Sequence, residues 1–378
     1  MELKYACALL LWLVSACVVW AVDQCVVGDA DAVDDSVVAV TSHALALSTR
    51  AAMITHLFGT DGWPRLQQPD SVTLGVADTV GVTGMSSVDQ VTVDPRTGAG
   101  FGHDTNPTLR VNAYLYHNNT GSRNNRLVLL HHGHVCTFDD GGGTPAYRME
   151  ATLQALLTAG YDVAIQYMIQ NLPGDCSDEH TGLFTNVAAP ATGSRLRWFV
   201  LAPIVLLNYL DATASPRYQD YSMVGLSGGG WMTHLVQALD PRLRIGVAIA
   251  GSLPCYLRNH ASSYGDREQV VSLFYGDFGW LDVYTLASYG TYNTWLQNRL
   301  HIGVLLEQDD CCFGSAQYTG DWDAALNTFE STVKTNLTSN LGSRGVYELA
   351  KDTTATTHQI GVDTLNAIIL PALAGTYP

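Results

Sequence analysis

The stretch MVGLSGGGW, residues 223–231, places one serine among four glycines, between an apolar run and a segment with helical periodicity. Its centre, GLSGG (225–229), fits the Gly-x-Ser-x-Gly pattern of a sharp strand-to-helix turn that exposes a serine hydroxyl. A flexible turn that happens to contain a serine would fit the same five residues. The sequence on either side has to decide between the two interpretations.

The flanking residues favour the strand-to-helix turn. Residues 221–225 form an apolar run of strand length, and apolar residues recur at helical spacing between 232 and 239. Gly225 and Gly229 carry no Cβ atom that could collide where a strained turn brings strand and helix together. We therefore predict that Ser227 is a nucleophile at such a turn.

From about residue 88 the chain alternates strand and helix signals, which is typical of a sheet with helices on both faces. The later strand candidates are near-continuous apolar runs, as expected for strands covered on both sides. Eight strands at this spacing predict one doubly wound α/β domain with a mostly parallel sheet. The strand candidates span 88–93, 110–117, 126–130, 162–167, 221–225, 245–250, 302–306 and 345–349, and the helix candidates span 149–159, 196–210, 228–239, 322–337 and 359–370.

The N-terminal part of the chain differs from this domain. An apolar run over 5–22 follows one lysine, and Val19 and Ala21 fit the small-residue pattern of a signal-peptide cleavage site. A retained membrane anchor is the alternative, and no later segment is long and apolar enough to span a bilayer. The predicted division is a signal peptide over 1–21, an N-terminal extension or propeptide over 22–87 with one helix between 40 and 58, and the main domain over 88–378.

Six cysteines remain after such a cleavage, and an even number in an exported chain predicts disulfides. Each lies shortly after a predicted strand except Cys25, so bridges between neighbouring loops are geometrically easy. Glycosylation sequons begin at Asn118 and Asn336, which agrees with export from a eukaryotic cell and predicts a glycoprotein. The predicted disulfide pairs are Cys255 with Cys311 or Cys312, and Cys136 with Cys176.

The charge balance excludes two classes of partner. The 378-residue chain has 19 Lys and Arg against 35 Asp and Glu, a net charge of -16, and no basic run. Binding to nucleic acid or to an anionic membrane surface requires a cationic patch. Neither is therefore expected as a partner.

A serine hydroxyl becomes a good nucleophile only when an imidazole accepts its proton and an acid orients that imidazole. Glu307, Asp309 and Asp310 follow the predicted strand 302–306, at the edge where such sheets place their active sites. The sequence contains one histidine after these acids, His358. We predict that His358 is the base. In the alternative interpretation, His358 is only an exposed residue of a loop.

An oxyanion site is predicted beside the serine. LVLLHHGH (127–134) is a strand that runs into a His-Gly turn. In hydrolases with this sheet, the loop after that strand and the residue after the nucleophile each supply one backbone N–H, here His134 and Gly228. The three histidines could instead bind zinc, but no carboxylate or further histidine at helical spacing completes a ligand set. We expect no metal and no cofactor.

Together these motifs resemble the α/β-hydrolase superfamily over roughly residues 88–375, through GLSGG, His132-Gly133, Asp309 and His358 in that order. The resemblance implies a serine hydrolase that forms an acyl-enzyme at Ser227. Within the superfamily the chain is similar to the dienelactone-hydrolase, esterase and prolyl-oligopeptidase-like group. The tripled-glycine oxyanion loop of enzymes like hormone-sensitive lipase is absent.

The resemblance favours Asp309 as the orienting acid. In the family the acid often follows a Gly-Glu-x or similar triplet at a strand end, and Glu307-Gln308-Asp309 matches that register. Neighbouring residues in an extended segment point to opposite sides, so only one of Asp309 and Asp310 can face His358. The sequence DDCCF departs from the usual Asp-x-x-Val-Pro pattern, which leaves Asp310 as the alternative.

Aromatic residues are frequent in 274–280 and 284–295, between two predicted strands. They fit a cap packed on the sheet edge and also the wall of a substrate pocket. We predict that the pocket includes His132, Trp231, Trp280 and Tyr284.

The favoured function is a secreted hydrolase of carboxylic esters. One alternative is a secreted serine peptidase of prolyl-oligopeptidase type, which is disfavoured because no propeller-sized segment precedes the hydrolase domain in this sequence. The other is a non-catalytic binding protein on a hydrolase scaffold. Such proteins normally lose a member of the triad, whereas every position can be filled here.

Overall fold

The computed structural model describes residues 36–94, 111–133, 149–169, 184, 189–190, 192–257, 267–270, 272–292, 297–306, 310, 313, 321–355 and 357–377. In these ranges nine strands form one sheet in the order β1-β2-β3-β5-β4-β6-β7-β10-β11, and β8 and β9 form a separate hairpin. The strands are β1 Ser71–Thr73, β2 Met85–Val93, β3 Val111–Asn118, β4 Leu127–His131, β5 Asp162–Gln166, β6 Tyr221–Leu226, β7 Leu243–Ile249, β8 Thr291–Tyr292, β9 Gln297–Asn298, β10 Leu300–Leu306 and β11 Val346–Asp352.

The six strands from β5 to β11 in this order are parallel, and β1, β2 and β3 join them antiparallel. This confirms the doubly wound, mostly parallel sheet. The sequence analysis missed β1, β8 and β9, because strands of two or three residues are too short to show an alternating pattern. Every residue of β4, β5 and β6 is buried, as their largely apolar sequences predict.

The helices are α1 His43–Phe58, α2 Met149–Thr158, α3 Arg197–Thr213, α4 Gly228–Leu239, α5 Ser272–Tyr275, α6 Trp280–Ser288, α7 Trp322–Thr335 and α8 Leu370–Ala374, with π-helical turns Asn336–Asn340 and Thr364–Ile369 and 3-10 turns Gly59–Asp61, Cys255–Leu257 and Arg267–Val270. Five of the helices fall where the sequence predicts them, α1 to α4 and α7. Helices α5 and α6 were not predicted, and the last predicted helix, 359–370, is observed as a π-helical turn over Thr364–Ile369 followed by α8. Helix α1 begins with Ser42 as N-cap, whose hydroxyl accepts a hydrogen bond from the amide of Leu45 at 3.2 Å.

The strand order reverses between β4 and β6. After β4 the chain crosses to β5 on one side, whereas after β6 it crosses to β7 on the other. The connections therefore diverge at this point, and the general rule for open α/β sheets places the ligand-binding crevice at the carboxyl ends of β4 and β6.

The segment that precedes the sheet is tied to the rest of the chain. Arg50 of α1 donates to the carbonyls of Ala238 and Leu286, at 2.8 and 3.1 Å. One carboxylate oxygen of Asp282 accepts from the amides of Ala39 and Val40, at 2.8 Å each. The boundary that we placed between residues 87 and 88 falls inside β2, and the predicted signal peptide lies outside the described residues.

The two glycosylation sequons are buried in the fold. Asn118 and Asn336 are each 4% exposed. The side-chain amide of Asn118 donates to the carbonyls of Leu157 and Tyr161, and that of Asn336 donates to the carbonyl of Val40. Because the nitrogen that would carry a glycan is already hydrogen-bonded in the interior, the structure argues against a modified asparagine at either sequon.

No helix within the described ranges is both long enough and apolar enough to cross a membrane.

Arg299 joins the end of α4 to the sheet and to α6. The residue is 1% exposed, and burial lowers the pKa of its guanidinium to about 9. It donates to five backbone carbonyls, those of Gln237, Asp240, Leu243, Leu286 and Tyr289. The carbonyls at the end of a helix have no intrahelical donor, so this one side chain satisfies groups that packing has removed from water.

We expect Arg299→Met to lower the free energy of unfolding by at least about 3 kcal/mol, because an unsatisfied buried acceptor costs about 1–3 kcal/mol. Urea denaturation measures the change. Arg65→Met is the matched control, since Arg65 is exposed and a surface change of this kind should stay within about 0.5 kcal/mol. Equal stability of the two variants would contradict the role given to Arg299.

Candidate active site

Ser227 lies at a strained turn between a strand and a helix. β6 ends at Leu226, α4 begins at Gly228, and Ser227 between them has φ 58° and ψ −129°. A positive φ is uncommon for a residue with a side chain and persists only where the surroundings enforce it. Here the amide of Ser227 donates to the carbonyl of Ile249 at 2.9 Å, and its carbonyl accepts from the amide of Trp231 at 3.1 Å.

Glycine is required where the turn contacts its neighbours. A Cβ atom on Gly225 would lie 2.0 Å from the carbonyl oxygen of Gly229, and one on Gly229 would lie 2.2 Å from that of His131. A Cβ atom on Gly251 would lie 1.8 Å from the carbonyl oxygen of Ser227. Since these partners are backbone atoms, no side-chain rotation could relieve the clashes. The turn is thus held against β4 and against the loop after β7 by direct backbone contact.

The turn after β4 faces the first amides of α4. Gly133 has φ 85°, and a Cβ atom there would lie 3.3 Å from the nitrogen of Gly228 and 3.2 Å from that of Gly229. The first amides of a helix have no intrahelical acceptor and carry the positive end of its dipole. This arrangement suits a negatively charged oxygen. His134, the other predicted donor, lies outside the described residues.

A histidine–aspartate pair lies at the carboxyl ends of β10 and β11. Nδ1 of His358 is 3.2 and 3.3 Å from the two carboxylate oxygens of Asp310. The Asp310 side chain is fully buried, whereas that of His358 is 13% exposed. The amide of Phe313 donates to Asp310 at 3.2 Å. A buried carboxylate therefore contacts Nδ1 of this imidazole and could hold its orientation.

The acid in contact with His358 is Asp310, the neighbour of the residue that the sequence analysis preferred. Asp309 itself lies outside the described residues. Alternation along an extended segment implies that only one of the two faces the imidazole, but it does not say which one. The contact that the structure shows is made by Asp310, one residue after the position that the family register favours.

Three of the predicted pocket residues belong to the packed interior. Trp231 and Trp280 are fully buried, and Tyr284 is 1% exposed. The indole nitrogen of Trp231 donates to the Tyr275 hydroxyl at 2.6 Å, and the Tyr275 ring stacks on Trp280 with centroids 4.1 Å apart. These large aromatic side chains fill the space between α4 and α6. They therefore fit the interpretation of a packed cap and not that of a pocket wall.

His132 is also buried, but it lies next to the crevice. Its ring stacks on Tyr167 with centroids 6.0 Å apart, and burial lowers its pKa to about 4. The imidazole is therefore neutral at physiological pH. In the described part of the chain no group of three or more His, Cys, Asp or Glu side chains could hold a metal ion.

The predicted disulfides fall largely outside the described residues, which include neither Cys136, Cys176, Cys311 nor Cys312. They stay predictions. A functional feature that the sequence analysis missed is Gly251, which allows the loop after β7 to touch the Ser227 carbonyl. A single glycine after a strand gives no signal that distinguishes it from an ordinary turn.

No protein-family model and no curated protein sequence matches this sequence, whereas solved structures match its fold. The chain is similar to "Methylesterase BT1017" with a TM-score of 0.52 at 14% identity. The match covers 87% of this chain and 62% of that protein, so this chain spans less than two thirds of its length. It is similar to "A CE15 glucuronoyl esterase from Teredinibacter turnerae T7901" with a TM-score of 0.51 at 13% identity, covering 94% and 92%. The chain thus has the α/β-hydrolase fold.

We expect Gly229→Ala to disrupt the turn around Ser227, because the added methyl group would lie 2.2 Å from a backbone oxygen of β4. The yield of folded protein and the melting temperature measure the effect. Gly121→Ala is the control, since a Cβ atom there would meet nothing within 4 Å. Two variants of equal stability would show that β4 and α4 are not in direct backbone contact.

Proposed function

We propose that this protein is a serine hydrolase that cleaves carboxylic esters through an acyl-enzyme at Ser227, with His358 as general base and Asp310 as the orienting acid. The observation that carries the proposal is the strained backbone of Ser227, φ 58° and ψ −129°, at the same sheet edge as the His358–Asp310 pair. The names of two proteins with the same fold, a methylesterase and a glucuronoyl esterase, support an ester as the substrate class.

In the proposed reaction, the Ser227 oxygen attacks the ester carbonyl while Nε2 of His358 takes its proton. Asp310 accepts the hydrogen bond from Nδ1–H, which fixes the tautomer and stabilises the imidazolium. The oxyanion of the tetrahedral intermediate is bound by the Gly228 amide and by the amide that follows Gly133. The imidazolium then protonates the leaving alcohol. A water molecule, deprotonated by the same imidazole, releases the acid and restores the Ser227 hydroxyl.

Ser227→Ala should abolish hydrolysis, because the variant lacks the side-chain oxygen that would form the ester bond with the acyl group. Loss of a triad member costs several orders of magnitude in turnover. The assay is a panel of p-nitrophenyl esters and aminoacyl amides, combined with labelling by a fluorophosphonate probe. A label on Ser227 with turnover of esters but not of amides is the expected result. Full ester hydrolysis by Ser227→Ala would contradict the proposal. Preferential cleavage of amides by the wild-type protein would indicate a peptidase.

Asp310→Asn should lower turnover by roughly 10⁴-fold, by analogy with the serine-protease triad. The neutral amide cannot stabilise the imidazolium, and its NH₂ group can donate to Nδ1 and hold the imidazole in the wrong tautomer. Asp309→Asn is the matched control and should cost far less. Steady-state kinetics of the two variants measure the difference. If Asp309→Asn proves to be the damaging change, Asp310 is not the orienting acid.

We also propose that the chain is exported after cleavage near Val22 and that its remaining cysteines form disulfides. The apolar N-terminal run and the even cysteine count support this. Mass mapping of protein made by a secreting host should find a mature N-terminus near Val22, Cys255 linked to Cys311 or Cys312, and no glycan on either sequon. Free thiols on all three cysteines would contradict the disulfide proposal.

A further inference from the structure

The loop that carries His358 begins at the end of β11. Asp352 is the last residue of that strand and pairs in register with Leu306, the last residue of β10. The loops bearing His358 and Asp310 therefore leave two adjacent parallel strands at the same level. Whether the imidazole meets its acid and the Ser227 oxygen depends on the path that the chain takes after Asp352.

One buried carboxylate contacts both ends of this loop. Oδ1 of Asp352 accepts from the amide of Thr354 at 2.9 Å, from its hydroxyl at 2.7 Å and from the amide of Ala355 at 3.0 Å. Oδ2 accepts from the amide of Thr364 at 3.2 Å and from its hydroxyl at 2.5 Å. Asp352 is 2% exposed. Residues before and after His358 are thus bound to the same side chain.

The middle of the loop also lies close against this carboxylate. A Cβ atom on Gly361 would lie 2.2 Å from Oδ2 of Asp352. Ala355 and Ile360, on either side of His358, are buried in the core. The loop is therefore folded tightly over the Asp352 side chain, and His358 lies between its two attachment points.

Asp352 is ionised in this setting. Burial alone would raise the pKa of its carboxyl, but hydrogen bonds from Thr364 and Thr354 outweigh it and lower the pKa below its usual range. All five donors named above are neutral amides and hydroxyls. The charge of Asp352 thus lets each of its two oxygens accept from a different end of the loop.

We propose that Asp352 is a positioning residue for His358, acting through the loop and not by contact with the imidazole. This inference rests on the proposed function of His358 as general base. Proton transfer depends steeply on geometry, and a displacement of about 1 Å can cost about 10²-fold in rate. A side chain that fixes both ends of the loop therefore sets the catalytic rate without touching the substrate.

Asp352→Asn tests the proposal with little change in size. An asparagine has one carbonyl oxygen, so in either orientation its NH₂ group faces amide donors at one end of the loop. We expect kcat to fall by about 10- to 100-fold with KM little changed, because only the position of the base is altered. Labelling of Ser227 by the fluorophosphonate should slow by a similar factor. The assays are run well below the melting temperature of each variant.

Asp162→Asn is the matched control. Asp162 is also buried and accepts from the Asn118 amide at 2.8 Å and the Tyr218 hydroxyl at 2.7 Å, and it forms an ion pair with Arg123 at 2.7 Å. It begins β5, at the end of the strands opposite to the proposed site. The Asp162→Asn variant should be less stable than the wild type and should have the same kcat. A kcat for Asp352→Asn equal to that of Asp162→Asn would overturn the inference, since both changes would then be merely structural.

If Asp352→Asn fails to fold, Thr364→Val is the second test. This variant removes the hydroxyl that donates to Asp352 and keeps the backbone amide that also donates to it. A lower kcat at unchanged KM supports the positioning role, and an unchanged kcat overturns it. Failure of the proposed function gives a different result. In that case the wild-type protein shows no hydrolysis that depends on Ser227, whereas failure of this inference alone leaves an active wild type and an equally active Asp352 variant.

Discussion

Around Ser227, the backbones of β4, α4 and the loop after β7 lie so close together that the glycines between them could not carry a Cβ atom. The carbonyl oxygens of His131 and Ser227 occupy positions that Cβ atoms on Gly229 and Gly251 would need, so α4 rests directly on β4 and on the loop after β7. This contact holds Ser227 at a φ that serine seldom adopts and fixes the direction of its Cα–Cβ bond. It also places the first amides of α4 against Gly133. The proposed nucleophile and the proposed oxyanion site thus depend on the same packing constraint.

The two ends of α4 have different roles. At its C-terminal end, the guanidinium groups of Arg299 and Arg50 donate to the carbonyls of Gln237, Ala238 and Asp240, which the helix itself cannot satisfy. At its N-terminal end, the corresponding unsatisfied amides are the ones that the proposed chemistry uses. Because Arg50 belongs to α1, the segment before the sheet contributes to holding this helix in place.

The parallel strands bring together residues that are far apart in the sequence. Ser227, Asp310 and His358 follow β6, β10 and β11, whose carboxyl ends share one edge of the sheet. The strands fix only where each loop begins, and the loops must then be directed by side chains. Asp352 does this for the loop of His358, and the burial of Asp310 beside the Phe313 amide does it for the acid.

The sequence by itself determined the longer strands, most of the long helices and their order, because these depend on local patterns. The short strands β1, β8 and β9 and the helices α5 and α6 were not predicted. Apolar runs located the strands, helical spacing located α4, and the glycines around Ser227 marked a turn that needs residues without Cβ atoms. Tertiary structure decided which of Asp309 and Asp310 contacts His358, that Trp231, Trp280 and Tyr284 fill the core, and that the sequon asparagines are buried. Those outcomes depend on which distant segments pack together, and the same aromatic, acid or amide can serve in the core or at the surface until its neighbours are in place.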